Sequence, residues 1–292
     1  MTFLRGCFLL LALTFSDAAI AETPAKFALV IANSDYDGDG KVDTSTAART
    51  RAQARGLVGD LGNPWFDAVR VGDALRGAGF EVDTVLNGDR ASMYGAVMRL
   101  YARADAAGPS SSTVLFFAGH GVQIGGRNYL VATRARLSDE DLRGDTGEQR
   151  TRVGIAIGLS VQDILMQAHR PDAIGYNLIF LDACRDNPWE SQIRAALATE
   201  GRDYVGERGF MAMTVMTQRT VLSFSAQPGG AAGDGIEGAG SPYGAALVGI
   251  LRQPGITIDD AVTRLSSVAT SVDGDVQQPW STGRLYDNTR LR

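Results

Sequence analysis

Two side chains that can act as a nucleophile and a base follow apolar segments of this 292-residue chain. His120 stands between two glycines after the segment 112–118, in STVLFFAGHG, and Cys184 follows the segment 177–181, in NLIFLDAC. An adjacent imidazole favours the thiolate form of a cysteine and can later protonate a leaving amine. The pair therefore predicts acyl transfer at a Cys184 nucleophile, with His120 as its base.

The N-terminal residues 1–21 have the features of a cleavable secretory signal peptide. A short positive start precedes an apolar segment at 8–15, and Ala19-Ile20-Ala21 forms a small-x-small end. A retained anchor is the alternative, but the apolar segment is shorter than the ~20 residues that span a bilayer. With such a signal we expect a periplasmic or secreted protein. Cleavage removes Cys7, so we expect Cys184 to be the one thiol of the mature protein.

The glycine after the histidine suits the same chemistry. Because Gly121 has no Cβ, a substrate carbonyl can approach the backbone there, and the N–H groups of Gly121 and Cys184 can stabilise a tetrahedral oxyanion. A redox role is disfavoured because no resolving cysteine is left, and a Cys/His metal site lacks soft ligands. The alternative of a cysteine that only fills space is disfavoured by the charged residues Arg185 and Asp186 that follow it. We expect that the reaction requires no cofactor.

Composition excludes several classes of partner. The chain is 45% hydrophobic and 21% charged, with a formal net charge of −5 and a pI near 5.1. These values are typical of a globular protein without a broad basic surface. We therefore expect no nucleic-acid partner and, after cleavage of the signal, no membrane partner.

Apolar and amphipathic segments alternate along the chain. Strands are predicted at 27–32, 80–86, 112–118, 177–181 and 220–224, and helices at 64–78, 91–106, 159–169, 242–252 and 258–270. Nearly continuous apolar strands separated by helices indicate an α/β protein whose parallel sheet is covered on both faces. The stretches 35–62 and 186–218 are interpreted as long surface loops. Because chemistry collects at the carboxyl ends of parallel strands, His120 and Cys184 are predicted to meet there.

Asp182 lies two residues before Cys184, so on a strand both side chains face the same side. A carboxylate in that position needs a partner, and an incoming guanidinium or ammonium group supplies one, with arginine favoured by its two-pronged geometry. This predicts cleavage after Arg or Lys. In the alternative interpretation Asp182 caps the following turn or pairs with Arg185.

Six segments together resemble the caspase-like cysteine peptidases, and among them the bacterial metacaspase-like branch. They are FALVIANSDY, LGNPWFDAVRVGDALRGAGFEV, STVLFFAGHG, NLIFLDACRDNPW, TVLSFSAQPG and SPYGAALVGIL. The resemblance implies the caspase–haemoglobinase fold, with a mostly parallel sheet of about six strands, and cleavage of a protein or peptide substrate by a His–Cys dyad. It also implies one catalytic domain at 22–288, made of a large-subunit-like region (26–190), a linker loop (191–218) and a small-subunit-like region (219–288).

The same resemblance implies further residues of the substrate pocket. Relatives build it with an acid from the Asp-Ala pair of the first helix, which matches Asp67, and with the acid before the nucleophile, which matches Asp182. A third acid, from the loop after the fifth strand, matches Asp234. Because Asp182 stands where the caspase signature has glutamine, we do not expect specificity for aspartate.

Residues 35–46, DYDGDGKVDTST, follow the first half of a calcium-binding EF-hand loop. The candidate ligands are Asp35, Asp37, Asp39 and Asp43. Thr46 stands where the loop requires a bidentate glutamate, and a strand precedes it instead of a helix. A weak calcium site and a solvated acidic turn both stay open.

Two alternatives to an active endopeptidase also stay open. One is a catalytically silent scaffold that binds peptides, and the other is a thiol hydrolase or transpeptidase that acts on another acyl substrate.

Self-processing is a further expectation, because the stretch 186–218 and its border contain Arg194, Arg202, Arg208 and Arg219. The sequence does not indicate an oligomeric state.

Overall fold

The computed structural model describes residues 24–143, 146–183, 187–199, 210–215, 217–268, 270–272, 275–283, 285 and 289–291. The predicted signal peptide 1–21 lies outside the described residues, as does Cys184. In chain order the elements are β1 (Lys26–Ala32), α1 (Thr46–Ala54), α2 (Pro64–Gly77), β2 (Glu81–Leu86), α3 (Arg90–Ala106), β3 (Ser112–Ala118), β4 (Gly121–Ile124), β5 (Arg127–Val131), α4 (Thr146–Ile157), β6 (Gly158–Ser160), α5 (Val161–Gln167), β7 (Asn177–Asp182), α6 (Glu190–Thr199), β8 (Thr220–Phe224), α7 (Pro242–Leu251), α8 (Ile258–Ser266), β9 (Thr270–Val272), β10 (Asp275–Gln277) and β11 (Trp280–Gly283).

A six-stranded sheet in the order β11-β8-β7-β3-β1-β2 forms the centre of the fold. Neighbouring strands from β2 to β8 are parallel, and the edge strand β11 is antiparallel to β8. Alternate residues of β1 pack on opposite faces: Val30 contacts the cluster that holds α2, α7 and α8, and Ile31 contacts the cluster that holds α3 and α5. This confirms the predicted α/β sheet with helices on both faces.

The register of the two central strands, β3 and β7, sets where the candidate catalytic residues that follow them meet. Ala118, the last residue of β3, pairs with Asp182, the last residue of β7, and the N–H of Gly119 donates to the carbonyl of Asp182 at 3.2 Å. His120 therefore follows a position that is in register with Asp182, at the carboxyl end of the sheet.

A small antiparallel sheet, β4-β5-β6, begins directly after His120. Gly125 and Gly126 join β4 to β5 with φ angles of 58° and 74°, the left-handed values of a two-residue hairpin turn. The N–H of Val131 in β5 donates to the carbonyl of His120 at 2.9 Å, so this sheet supports the histidine turn. The strand predictions missed the hairpin.

Two stretches interpreted as loops contain helices, which corrects that interpretation. The stretch 35–62 contains α1, and the stretch 186–218 contains α6, which also occupies the start of the predicted linker loop. Helix α1 has only Ala52 buried, so its sequence carries no apolar stripe that would predict a helix. The side chain of Ser45 caps it by accepting from the N–H of Ala48.

Other boundaries also differ from the prediction. Helix α4 was not predicted, and the predicted helix 159–169 begins as strand β6, so that α5 spans only Val161–Gln167. The last helix ends at Ser266, four residues before its predicted end. Across the described ranges, no helix is both long and apolar enough to cross a membrane.

Candidate active site

His120 is fixed by a buried tyrosine from the segment after β1. The His120 N–H donates a 2.6 Å hydrogen bond to the phenol oxygen of Tyr36, and the two rings lie 4.6 Å apart with a tilt of 58°. Tyr36 is 1% exposed. A Cβ at Gly119 would lie 2.5 Å from the phenol oxygen, so the turn needs glycine to admit this contact.

The imidazole of His120 is oriented by a backbone carbonyl. Its Nε2 atom lies 2.8 Å from the oxygen of Gly59, in the loop between α1 and α2. A carbonyl oxygen only accepts, so Nε2 carries the ring proton in the neutral form. Nδ1 is then the nitrogen with the lone pair, and it is the atom that can accept a proton in general base catalysis.

Gly121 lies against the end of β7. A Cβ on Gly121 would lie 2.3 Å from the ring of Phe210 and 3.0 Å from the Cβ of Ala183. Bonded and non-bonded pairs alternate along an antiparallel ladder. Since Val131 bonds to His120, the next pair, Gly121 with Leu130, is a non-bonded one. The N–H of Gly121 therefore points away from β5, as an oxyanion donor requires.

Ala183 is the last described residue before the predicted nucleophile. Cys184 lies outside the described residues, together with Arg185 and Asp186. The dyad distance, the Cys184 N–H and the alternative pairing of Asp182 with Arg185 therefore stay predictions.

The three predicted pocket acids line one cavity beside the histidine turn. Asp67 comes from α2, Asp182 from the end of β7, and Asp234 from the loop between β8 and α7. Gly119 and Ala183 line the same cavity. The structure thus brings together residues that are separated by up to 167 positions in the chain, counted from Asp67 to Asp234 (234 − 67).

Ser241 connects two of these acids and was missed by the sequence prediction. Its N–H donates to both carboxylate oxygens of Asp67, at 3.0 and 3.1 Å, and its hydroxyl donates to Asp182. The hydroxyl oxygen also accepts from the N–H of Gly244 at 2.7 Å, so Ser241 caps α7. The Ser-Pro pair before an apolar helix is the sequence signal for such a cap.

The electrostatics of this cavity favour a cationic ligand. The pKa of Asp67 is raised from 3.8 to about 8, mainly by burial and next by the charge of Asp182, while the hydrogen bonds from Ser241 act in the opposite direction. A positive ligand would offset both the burial and the repulsion between carboxylates.

The cavity between the acids is small in this structure. Its free volume is about 20 Å³, which holds roughly one water molecule. A side chain as long as arginine therefore needs one wall to move outward, and the wall that contains Asp234 is a loop.

The acidic loop after β1 forms a different group from the one predicted. Carboxylate oxygens of Asp35, Asp37 and Asp60 lie within 4.8 Å of one another. Asp60 was not among the predicted ligands, and Asp39 and Asp43 are outside the group. Burial raises the pKa of Asp60, and the charges of Asp37 and Asp35 add to the effect.

The hydrogen bonds of this group are those of a folded loop. Both oxygens of Asp35 accept backbone N–H groups, from Gly38 at 2.7 Å and from Gly40 at 2.9 Å. Asp37 lies 3.4 Å from Arg55, a cation of the protein itself. The oxygen ligands suit a hard cation such as calcium, and calcium binding stays a prediction.

Comparison with known proteins agrees with the fold. The family model of the caspase domain matches residues 25–289, which is most of the chain and includes every strand of the central sheet. The chain therefore belongs to the caspase domain family, a family of cysteine peptidases. No curated protein matches it significantly.

Proposed function

We propose that this chain is a cysteine endopeptidase that cleaves after Arg or Lys, with Cys184 as nucleophile and His120 as general base and acid. The observation that carries this proposal is the cavity in which Asp67, Asp182 and Asp234 meet beside the histidine turn. A neutral or acidic side chain would leave the buried carboxyl groups of Asp67 and Asp182 without a counter-charge, which is costly.

The site supports the following reaction. His120 Nδ1 takes the proton of the Cys184 thiol, and the thiolate sulfur attacks the carbonyl carbon of the bond to be cut. The N–H of Gly121 stabilises the oxyanion. His120 gives its proton to the leaving amine, so the C–N bond breaks and a thioester forms. Water then adds to the thioester, releasing the new carboxylate and restoring the thiol.

Two observations on described residues support this dyad. The carbonyl of Gly59 holds the tautomer that leaves Nδ1 basic. Ala183 packs against Gly121, and Cys184 is the next residue of the chain, about 3.8 Å further along the Cα trace. We infer that the thiol comes within reach of the imidazole from this position.

The test uses short fluorogenic peptides that differ only in the residue before the cut bond: Arg, Lys, citrulline or Asp. Citrulline has the shape of arginine without its charge, so it isolates the electrostatic contribution of the acidic cavity. We expect wild type to cleave the Arg and Lys peptides and the variants Cys184→Ala and His120→Ala to lose turnover by orders of magnitude. Equal rates for arginine and citrulline would contradict the basic specificity.

The same experiment separates the other acyl chemistries and the silent scaffold. A thiol hydrolase or transpeptidase of another type would react with iodoacetamide at Cys184 and cleave none of the peptides. A scaffold would bind the arginyl peptide equally well with and without Cys184→Ala and would never turn it over.

We also propose that the mature enzyme acts in the periplasm or outside the cell on protein or peptide substrates. The support is the sequence of residues 1–21. Its test is N-terminal sequencing of the exported protein, which should begin at Glu22.

A further inference from the structure

Asn63 occupies the position that precedes α2 and does not cap that helix. An asparagine there normally accepts a hydrogen bond from the first turn of its own helix. Asn63 makes no such bond, although its side chain is completely buried. The amide is instead directed at the loop between β8 and α7.

All four hydrogen-bonding capacities of the Asn63 amide are used on residues 234–240. Its nitrogen donates to the carbonyls of Asp234 and Ile236, the second at 2.9 Å. Its oxygen accepts from the N–H groups of Gly238 at 2.8 Å and Gly240 at 3.3 Å. An amide has two donor hydrogens and two acceptor lone pairs, so one side chain binds this loop at four points.

The loop needs such a fixing point because of its composition. Gly235, Gly238 and Gly240 have φ angles of 79°, 79° and 80°, a conformation that glycine adopts easily and leaves easily. Ile236 is 80% exposed, so apolar packing of that side chain does not hold the loop. The guanidinium of Arg70 adds a bond to the carbonyl of Ala239.

This loop forms a wall of the acidic cavity. The carboxylate of Asp234 accepts from the N–H of Gly62 at 2.9 Å, next to Asn63 in the chain. At the other end, a Cβ on Gly240 would lie 2.6 Å from the carboxylate of Asp67, and Ser241 continues to Asp67 and Asp182. The charges of Asp182 and Asp234 both raise the pKa of Asp67. Because like charges repel, the loop must be held for the three acids to stay together.

We propose that Asn63 is a positioning residue that holds the segment 234–240 as the movable wall of the pocket and thereby sets the preference for a basic side chain. The inference rests on the proposed cleavage after Arg or Lys. The wall has to move outward when a substrate enters, because the cavity has room for only about one water molecule. The four hydrogen bonds to Asn63 then determine how Asp67, Asp182 and Asp234 are arranged around the guanidinium.

The first test follows the contact itself and needs no substrate. Hydrogen exchange, read by mass spectrometry on peptides covering 230–241, is compared in wild type, Asn63→Ala and Asn63→Asp. The aspartate keeps the size and the acceptors but loses both donors. We expect the amides of Gly238 and Gly240 to exchange at least about tenfold faster in Asn63→Ala, since their acceptor is removed. We expect faster exchange of the segment in Asn63→Asp as well. Unchanged protection in both variants would overturn the proposal.

The second test follows selectivity. We expect Asn63→Ala to raise KM for the arginyl peptide about ten- to hundredfold, since the segment that carries Asp234 loses four hydrogen bonds to one buried amide. kcat should fall less, and the arginine-to-citrulline preference should shrink. The rate of Cys184 alkylation by iodoacetamide should stay within about twofold, because the dyad is not touched.

The matched control is Asn177→Ala, at the opposite end of β7. Asn177 is also buried and accepts hydrogen bonds from Thr113 and Tyr101. The Asn177→Ala variant should have a lower unfolding temperature and an unchanged arginine-to-citrulline preference. If Asn63→Ala behaved like this control, its role would be structural only. If wild type did not prefer arginine at all, the proposed function and the role of Asn63 in selectivity would both fail, while hydrogen exchange would still report whether the contact holds the loop.

Discussion

The phenol oxygen of Tyr36 accepts the backbone N–H of His120 at 2.6 Å. The bond crosses from the end of β1 to the end of β3, two strands that pair in register from Lys26 to Ala32. It fixes the backbone of the catalytic candidate, while Gly59 fixes its ring. Two different segments therefore hold one histidine.

Replacing Tyr36 by phenylalanine should separate positioning from folding. The variant keeps the ring contact but leaves the His120 N–H without this acceptor, so unfolding should become easier by about 1–3 kcal/mol. kcat should fall about ten- to hundredfold, because the imidazole is less well positioned. Tyr176→Phe is the control, since it removes a buried hydroxyl that donates to the carbonyl of Leu291. An equal loss of kcat in both variants would count against a positioning role for Tyr36.

Gly121→Ala should inactivate the enzyme, because the residues around Gly121 leave little space for a new side chain. The new Cβ would meet Phe210 and Ala183, so the histidine turn and the strand end before Cys184 must move apart. We expect kcat/KM for the arginyl peptide to fall at least about a hundredfold. Gly249→Ala is the control: nothing lies within 4 Å of its Cβ position in α7, and alanine should stabilise that helix by about 0.5–1 kcal/mol. Activity assays and thermal unfolding of both variants check the prediction.

Substrate binding should depend on pH through Asp67. Its pKa is raised to about 8, so ionisation of the pocket is completed only as the pH rises through that value. KM for the arginyl peptide should therefore fall between about pH 6 and about pH 9, and Asp67→Asn should remove this dependence. The pH profile of iodoacetamide alkylation reports the Cys184 thiol separately and should be the same in both proteins. An unchanged KM profile in Asp67→Asn would contradict the assignment.

Stability should respond to the same carboxyl group with the opposite trend. The folded-state pKa of Asp67 lies above its unfolded value of 3.8, so the folded protein binds more protons between about pH 4 and pH 8. The contribution of Asp67 to the free energy of unfolding is largest below this window and is lost as the pH rises through it. Denaturant titrations at several pH values should show a shallower decline for Asp67→Asn than for wild type.

Self-processing should be restricted to two of the four arginines that the sequence offers. Arg194 lies within α6 and pairs with Glu190 at 2.7 Å, and the guanidinium of Arg219 donates to the carbonyl of Gly175. Hydrogen-bonded structure of this kind resists proteolysis. Of the four predicted sites we therefore expect cleavage after Arg202 or Arg208, which lie outside the described residues. Intact-mass measurement should show two fragments from wild type and from Arg194→Gln, and one uncut chain from Cys184→Ala and from the double variant Arg202→Gln with Arg208→Gln.

Much of the central architecture was predictable because the inner strands β3, β7 and β8 are buried on both faces. Segments such as 112–118 and 177–182 are continuously apolar except near their ends, and a parallel sheet is the fold that buries such segments. Helix α1 was not predictable in this way, since its sequence TAARTRAQA offers one buried alanine. Its first turn is fixed by the cap that the Ser45 side chain provides.

The residues of the candidate site that could be predicted are those with distinctive side-chain chemistry. Residues that act only through their position in the fold could not be predicted. His120, Asp67 and Asp182 carry charge or proton-transfer chemistry, and the structure places these three at one end of the sheet. Asn63 and Gly59 act through an uncharged amide and a backbone carbonyl, whose partners are distant in the chain. Sequence spacing alone contains no signal for such contacts.

The pairing of Ala118 with Asp182 couples substrate preference to turnover. Strand β7 carries the proposed specificity acid at its last position, and the proposed nucleophile follows two residues later in the chain. A slip of β7 by one residue against β3 would displace both by about 3.3 Å and turn Asp182 to the opposite face of the sheet. An insertion or deletion within β7 therefore cannot retune substrate preference while sparing turnover. A change of substrate preference that spares turnover therefore has to come from a point change at Asp182 or from the loop 234–240, whose bonds to Asn63 do not involve the strand.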